Sequence, residues 1–267
     1  MGEKMLIAVV GADGRQAAAR RALAGAGCRV CGEEGLTGAG CVLLPTPFAA
    51  REEGWAALLA GLRPGALVLA GRPPAAARRL AGAAGVRLVD YMAREELAVR
   101  NAVPTAEGCI GILLARRSRT LWGTPVLLAG YGRVAQALAP RLTALGAWVT
   151  VAARRASQRA LAQSLGAAAI PLDELRAAAP GFDTAVNTIP APVFTGAALA
   201  ALRPGSLLVD LASAPGGVDL AEAERLGHTA LAAPGLPARC APDSAGAYLA
   251  QTVLDILGEQ HDKEVLA

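Results

Sequence analysis

Val126-Leu127-Leu128-Ala129-Gly130-Tyr131-Gly132-Arg133-Val134-Ala135-Gln136 decides the fold. Four apolar residues that suit a buried strand run into a glycine turn, and the turn opens a helical stretch. The turn has the spacing Gly-x-Gly-x-x-Ala. In that spacing Gly130 permits a tight turn, Gly132 keeps side chains away from an approaching phosphate, and Ala135 lets helix and strand pack closely. The helix then offers unpaired N–H groups and the positive end of its dipole. The segment therefore predicts a pyrophosphate-binding turn made by Gly130, Tyr131, Gly132, Arg133 and Val134.

About twenty residues further on, a predicted strand ends in Ala153-Arg154-Arg155-Ala156-Ser157. A site for NAD carries an acidic residue there, bound to the ribose 2′-hydroxyl. Two arginines and a serine suit a 2′-phosphate instead. Arg154, Arg155 and Ser157 thus predict NADP, with NAD as the second choice.

Composition narrows the remaining possibilities. The chain has 267 residues, 54% of them hydrophobic, enough for a substantial core. Its net charge of +4 is mild, its arginines are scattered and only 3% of residues are aromatic, which argues against nucleic-acid binding. No uncharged apolar run reaches the roughly 18 residues of a membrane span. Residues 1–4 lead straight into a predicted strand rather than a signal peptide, so the expected location is the cytoplasm and no membrane contact is expected. The cysteines at 28, 31, 41, 109 and 240 form no four-ligand pattern. Cys28 and Cys31 fall on a predicted strand, where residues three apart face opposite ways. With two histidines in the chain, no metal site is expected.

Strand and helix patterns alternate almost to the end. Strands are expected over 5–10, 29–31, 41–44, 66–70 and 86–89, and again over 126–129, 148–152, 168–170, 184–187, 207–211 and 229–232. Helices are expected over 15–24, 54–61 and 75–83 in the first run, and over 134–145, 157–165, 173–179, 196–201 and 220–226 in the second. This predicts an α/β chain of two doubly wound, Rossmann-like domains with a cleft between them. Residues 92–100 and 106–117 read as helices interrupted at Pro104, and 243–257 as a final helix returning to the first domain. The expected boundaries are 1–103 plus 240–258 for a discontinuous substrate domain, 104–119 for a crossing helix, 120–239 for the nucleotide domain and 259–267 for a mobile tail.

Ligands of open α/β sheets bind beyond the carboxyl ends of the strands. In the nucleotide domain that selects Asn187, Thr188, Ile189 and Pro190 as the wall of the cofactor trough, or as an Asx turn with a proline stop. Asp210 is expected to cap its own loop, Ala212 and Ser213 to contact the cofactor, with Ser213 and Gly216-Gly217 letting backbone approach the nicotinamide end, and Gly235, Leu236 and Pro237 to form a rigid wall for its ring. In the first domain Arg15 follows a glycine turn at a helix start. It is the candidate receptor for a substrate carboxylate, oriented by Asp13, or else half of a surface Arg–Asp pair. Asn101 and Thr105 are candidate substrate contacts, Thr105 alternatively a helix cap. Glu107 is either a proton acceptor or a favourable charge in a first helical turn. His228 falls just before a strand, at the wrong end of the sheet, and His261 lies in the tail. Alcohol oxidation with a histidine base is therefore disfavoured, and hydride transfer with a weak base fits better.

The combination of 11–16 (GADGRQ), 101–108 (NAVPTAEG), the glycine turn, 151–157 (VAARRAS), 187–190 (NTIP), 210–217 (DLASAPGG) and 233–237 (APGLP) resembles the dipicolinate synthase A-subunit family of spore-forming bacteria. The resemblance implies a dehydrogenase that turns a dihydrodipicolinate-type cyclic dicarboxylate into aromatic dipicolinate. It also implies a flavoprotein partner, the B component of the synthase, and a place in the mother cell of a sporulating bacterium. A homo-oligomer is expected. Two other readings remain open: an amino- or keto-acid dehydrogenase of the alanine- or shikimate-dehydrogenase kind, and a non-catalytic NADP-binding subunit.

Overall fold

The computed structural model describes residues 5–265. The chain divides into two compact units, one running to Asn101 and resuming at Ala241, the other spanning Ala102–Cys240.

The first unit contains β1 (Leu6–Val9), α1 (Gly14–Gly25), β2 (Arg29–Cys31), β3 (Cys41–Leu43), α2 (Glu52–Ala60), β4 (Leu67–Ala70), α3 (Ala75–Ala83) and β5 (Arg87–Asp90). Its strands are parallel, in the order β2-β1-β3-β4-β5. The central strands β3 and β4 are buried at every position, whereas the edge strands β2 and β5 are partly exposed. Unbroken apolar runs such as Leu67-Val68-Leu69-Ala70 are what a parallel sheet covered on both faces demands. Cys28 packs against the core on one face and Cys31 against the core on the other.

The second unit contains β6 (Pro125–Ala129), α5 (Arg133–Ala144), β7 (Trp148–Ala153), α6 (Ala156–Ser164), β8 (Ala168–Pro171), α7 (Leu175–Ala178), β9 (Thr184–Asn187), α8 (Gly196–Ala200), β10 (Leu207–Asp210), α9 (Leu220–Arg225), β11 (Thr229–Ala232) and α10 (Leu236–Cys240), in a chain followed by α11 (Pro242–Val265). Its sheet is also parallel, in the order β11-β10-β9-β6-β7-β8. The strand order reverses beside β6, so the glycine turn after β6 sits at the topological switch point, where such sheets bind ligands. The expected pair of doubly wound sheets is what the chain forms.

Two expectations about helices are corrected. Pro104 does not break the chain into two helices: α4 (Glu95–Arg116) is continuous, with Pro104 inside it. A proline inside a helix costs about 3 kcal/mol. Leu97, Ala102, Ala106, Cys109 and Leu113 are buried at helical spacing on either side of it, and burying each leucine contributes about 1.5–3 kcal/mol. Tertiary packing therefore outweighs the local break. Thr105 and Glu107 lie in mid-helix, so Thr105 caps nothing and Glu107 has no helix N-terminus to stabilise it. Although α4 is long and apolar enough to cross a membrane by length and composition, these buried positions identify it as a core helix.

The second correction concerns the end of the chain. The last helix does not stop at Leu257, and the segment expected as a tail is helical through Val265. Arg94 binds Glu96 at 2.6 Å and also pairs with Glu259, beyond the expected stop. Within the first unit α11 packs on α1. A Cβ at Gly246 would lie 2.6 Å from the Arg15 carbonyl, so the missing side chain permits the close approach.

Candidate functional site

The turn after β6 is built by its two glycines for different reasons. Gly130 has φ +91°, and a Cβ there would stand 2.5 Å from Thr188 Oγ1 and 2.9 Å from Ile189 Cγ1. The fold itself demands glycine at this position. Gly132 has φ −86°, open to any residue, and a Cβ there would meet nothing within 4 Å. No contact among the described residues demands glycine here. The space it leaves lies at the N-terminus of α5, which no side chain caps and whose first turn holds no acidic residue. Free N–H groups, dipole and open space together suit a phosphate.

A cavity of about 400 Å³ opens from this turn, lined by Gly130, Tyr131, Gly132, Ala153, Arg154, Arg155, Gln158, Thr188, Ile189 and Pro190. A neighbouring cavity of about 440 Å³ is bordered by Arg154, Leu172 and Asp173. The two exposed arginines at the end of β7 therefore face the space that a nucleotide extending from the turn would fill. The residues present fit a dinucleotide with a phosphorylated ribose.

Of the residues expected to hold the cofactor, eight line the cavity that opens from the glycine turn: Gly130, Tyr131, Gly132, Arg154, Arg155, Thr188, Ile189 and Pro190. Others take different positions. Asn187 is fully buried, and its side chain closes an Asx turn by accepting from Ile189 N at 3.1 Å. Its amide donates to Ile189 O at 2.9 Å and to Asp210 Oδ1 at 2.8 Å. Asn187 thus shapes the 187–190 turn and is not a wall. Asp210 does cap its own loop, accepting from Ala212 N, Gly217 N and Val218 N. Ala212 and Ser213 belong to that loop, outside the cavity lining. Leu236 opens α10 and is buried in the same core cluster as Tyr131, so the segment expected as a rigid wall, Gly235, Leu236 and Pro237, is a helix start. Arg133, Val134 and Ser157 stand in the first turns of α5 and α6.

Two lining residues, Ala153 and Gln158, were missed by sequence reasoning, and the polar one of them is Gln158. Its Nε2 donates to the Tyr131 carbonyl at 3.2 Å, and Gln136 Nε2 donates to the same oxygen at 3.1 Å. The available signal was its place in the first turn of the helix after β7, the strand paired with β6. The Tyr131 side chain is buried with no partner for its hydroxyl, and burial pushes its pKa up.

In the first unit, Asp13 caps α1 by accepting from Gln16 N at 2.9 Å. It forms no pair with Arg15. Arg15 instead donates through NH2 to Thr46 O at 2.9 Å, and its Nε is buried with no partner. Because Asp13 already takes the helix end, a carboxylate at Arg15 would rest on the guanidinium and not on the dipole. The Thr46 hydroxyl pairs with that of Tyr91, which donates to Leu44 O at 3.0 Å. Burial raises the Tyr91 pKa, against the lowering effect of its bond to Thr46 and of the Arg15 charge. Glu107 is exposed and pairs with Arg141 at 3.8 Å. Asn101 and Thr105, both on α4, each have an interaction partner in the structure. His228 is buried before β11, accepting from Ser206 N at 3.2 Å, with its other nitrogen 3.0 Å from Leu199 O. No group of metal-ligating side chains occurs among the described residues.

Known proteins resemble this chain in sequence and in fold. Residues 126–214 match the family model described as "NADP oxidoreductase coenzyme F420-dependent". The chain is 35% identical over 198 residues to the A subunit of dipicolinate synthase from Bacillus subtilis, covering 74% of this chain and 67% of that one. The crystal structure of the A subunit of dipicolinate synthase from Bacillus halodurans superposes with a TM-score of 0.85 at 28% identity, covering 95% of this chain and 97% of that chain. The Bacillus subtilis A chain superposes with a TM-score of 0.84 at 28% identity, over 98% of this chain and 99% of that chain. The transhydrogenase of Sinorhizobium meliloti, at 17% identity and a TM-score of 0.74, shares the fold, covering 94% of this chain and 92% of that chain. With its glycine turn, the arginines that follow β7 and its pair of parallel sheets, the chain belongs to the dipicolinate synthase A-subunit family.

Proposed function

We propose that this chain is the NADP-dependent dehydrogenase component of a dipicolinate synthase, oxidising a dihydrodipicolinate-type cyclic dicarboxylate to dipicolinate. The observation that carries the reading is the uncapped N-terminus of α5 behind Gly132, opening onto Arg154 and Arg155. Its partner in the proposal is the flavoprotein B component, its assembly a homo-oligomer, and its location the cytoplasm of the mother cell.

A bound nicotinamide would supply the hydride acceptor. The N–H groups at the start of α5 would hold the pyrophosphate, Arg154 and Arg155 would pair with the 2′-phosphate, and the Thr188–Pro190 turn would border the same space. Arg15 receives a substrate carboxylate through its guanidinium. Glu107 takes the ring proton. The ring loses one hydride and one proton and becomes aromatic, so the driving force lies in the product and a weak base suffices.

The test is to incubate the full chain with NADP and freshly generated dihydrodipicolinate, with and without the flavoprotein, following nicotinamide reduction and dipicolinate together. Both signals from this chain alone make it the complete dehydrogenase. Both signals only with the flavoprotein make the enzyme composite. Neither signal, with NADP demonstrably bound, overturns the substrate assignment. Unchanged turnover in Glu107→Gln removes Glu107 as the base.

A further inference from the structure

We infer that Gln158 is a positioning residue, which holds the Tyr131–Gly132 peptide with its N–H presented to the cofactor pyrophosphate. The inference rests on the nucleotide reading above.

Tyr131 stands between two glycines, the most permissive residues for backbone rotation. Its peptide link to Gly132 borders open space on the Gly132 side, where a Cβ would touch nothing within 4 Å. Nothing about these flanks prevents the peptide plane from turning over. A turned plane would present a carbonyl oxygen, rather than an N–H, to an anionic ligand.

Two side chains oppose that turn. Gln136 Nε2 and Gln158 Nε2 donate to the Tyr131 oxygen at 3.1 and 3.2 Å. In a trans peptide the C=O and N–H point in opposite directions. Holding the oxygen toward the two amides therefore directs the Gly132 N–H away from them. Donors on a peptide oxygen also polarise the same peptide's N–H, making it a better donor.

The two glutamines differ in origin. Gln136 is local, on the first turn of the helix that the glycine turn itself opens. Gln158 comes from α6, 27 residues away in sequence, on the segment that carries Arg154 and Arg155. It is half-buried and lines the same cavity as both arginines. One side chain thus ties the segment that meets the 2′-phosphate to the turn that meets the pyrophosphate.

The experiment uses the full chain and its variants Gln158→Met, Gln136→Met and the double variant. Dissociation constants are measured for NADPH, NADH and adenosine 2′,5′-bisphosphate, which carries the adenosine end and the 2′-phosphate without the pyrophosphate bridge. Each single variant should weaken NADPH and NADH by the same factor, about fivefold, the value of one neutral hydrogen bond. Adenosine 2′,5′-bisphosphate should change less than about twofold. Each single variant retains one amide on the carbonyl, so the double variant should lose more than the product of the singles. A purely structural role would weaken all three ligands alike and lower the unfolding temperature, and would overturn the inference. Loss confined to NADPH and the bisphosphate would make Gln158 a 2′-phosphate contact and also overturn it. Unchanged affinities in Gln158→Met and in Gln158→Ala would do the same. If the parent chain binds none of the three ligands, the nucleotide reading itself fails, an outcome distinct from all of these.

Discussion

Each unit places a glycine turn after its first strand and starts a helix from it, yet the two turns are finished in opposite ways. Gly11 has φ +98° and Gly130 has φ +91°, so the chain leaves both strands by the same sharp path. After Gly11 the space is taken by the chain itself. Asp13 caps α1, Glu33 Oε1 accepts from Gly11 N at 3.3 Å, and the fully buried Gln16 side chain lies beneath the turn. After Gly130 no side chain caps α5, Gly132 leaves open space, and Ala135 occupies the buried position that corresponds to Gln16. A self-capped helix end brings its own negative charge, whereas an uncapped end keeps its N–H groups for an external one. This contrast supports the proposal that the second unit, which matches the oxidoreductase family model over residues 126–214, binds the nucleotide, and that the first recognises substrate through Arg15.

The comparison can be broken most sharply by converting one turn into the other. Gly132→Asp gives α5 the cap that α1 has. It should leave the unfolding temperature equal or slightly raised, since exchanging glycine for aspartate at an N-cap changes stability by only a few tenths of a kcal/mol. Nucleotide affinity should fall more than about 100-fold, because a carboxylate then stands where phosphate binds. Retained affinity in a titration with NADPH would place the nucleotide elsewhere.

Next in size is Arg154→Asp, which should weaken NADPH by about 100-fold and NADH by only a few-fold. Equal loss of both would make Arg154 structural, and Arg155 and Ser157 would need the same test. Gly130→Ala then separates folding from binding. Its positive φ and the overlap with Thr188 should cost about 1–3 kcal/mol in denaturant unfolding, an effect absent in Gly132→Ala. The smallest effect belongs to the first unit. Asp13→Ala removes the α1 cap and should cost about 1 kcal/mol of stability with no change in NADPH affinity. A change in affinity there would contradict the division of labour between the units.

Much of the site was legible because its signals are local. The strand into Gly130, the glycine spacing and the arginines after β7 depend on residues within a few positions of one another. Asn187 was harder: its type suited either a cofactor contact or an Asx turn. Only its full burial and its bond to Asp210, 23 residues away, decide for the turn. Gln158 was harder still: its partner is a backbone oxygen on another loop, and only its place in the first turn after β7 pointed to it. Asp13 and Arg15 are two positions apart and of opposite charge, but the structure gives one to a helix cap and the other to a backbone oxygen.

The alternation of strands and helices, the turn that marks the switch point and the arginines suited to a 2′-phosphate could be read from residue order alone, since period, glycine and arginine act where they stand. Only the tertiary structure decided that α4 runs through Pro104, that α11 continues to Val265 and that one glycine turn is closed while the other is open. Those outcomes depend on burial and on partners brought from distant parts of the chain, and their energies outweigh the local preferences that a sequence displays.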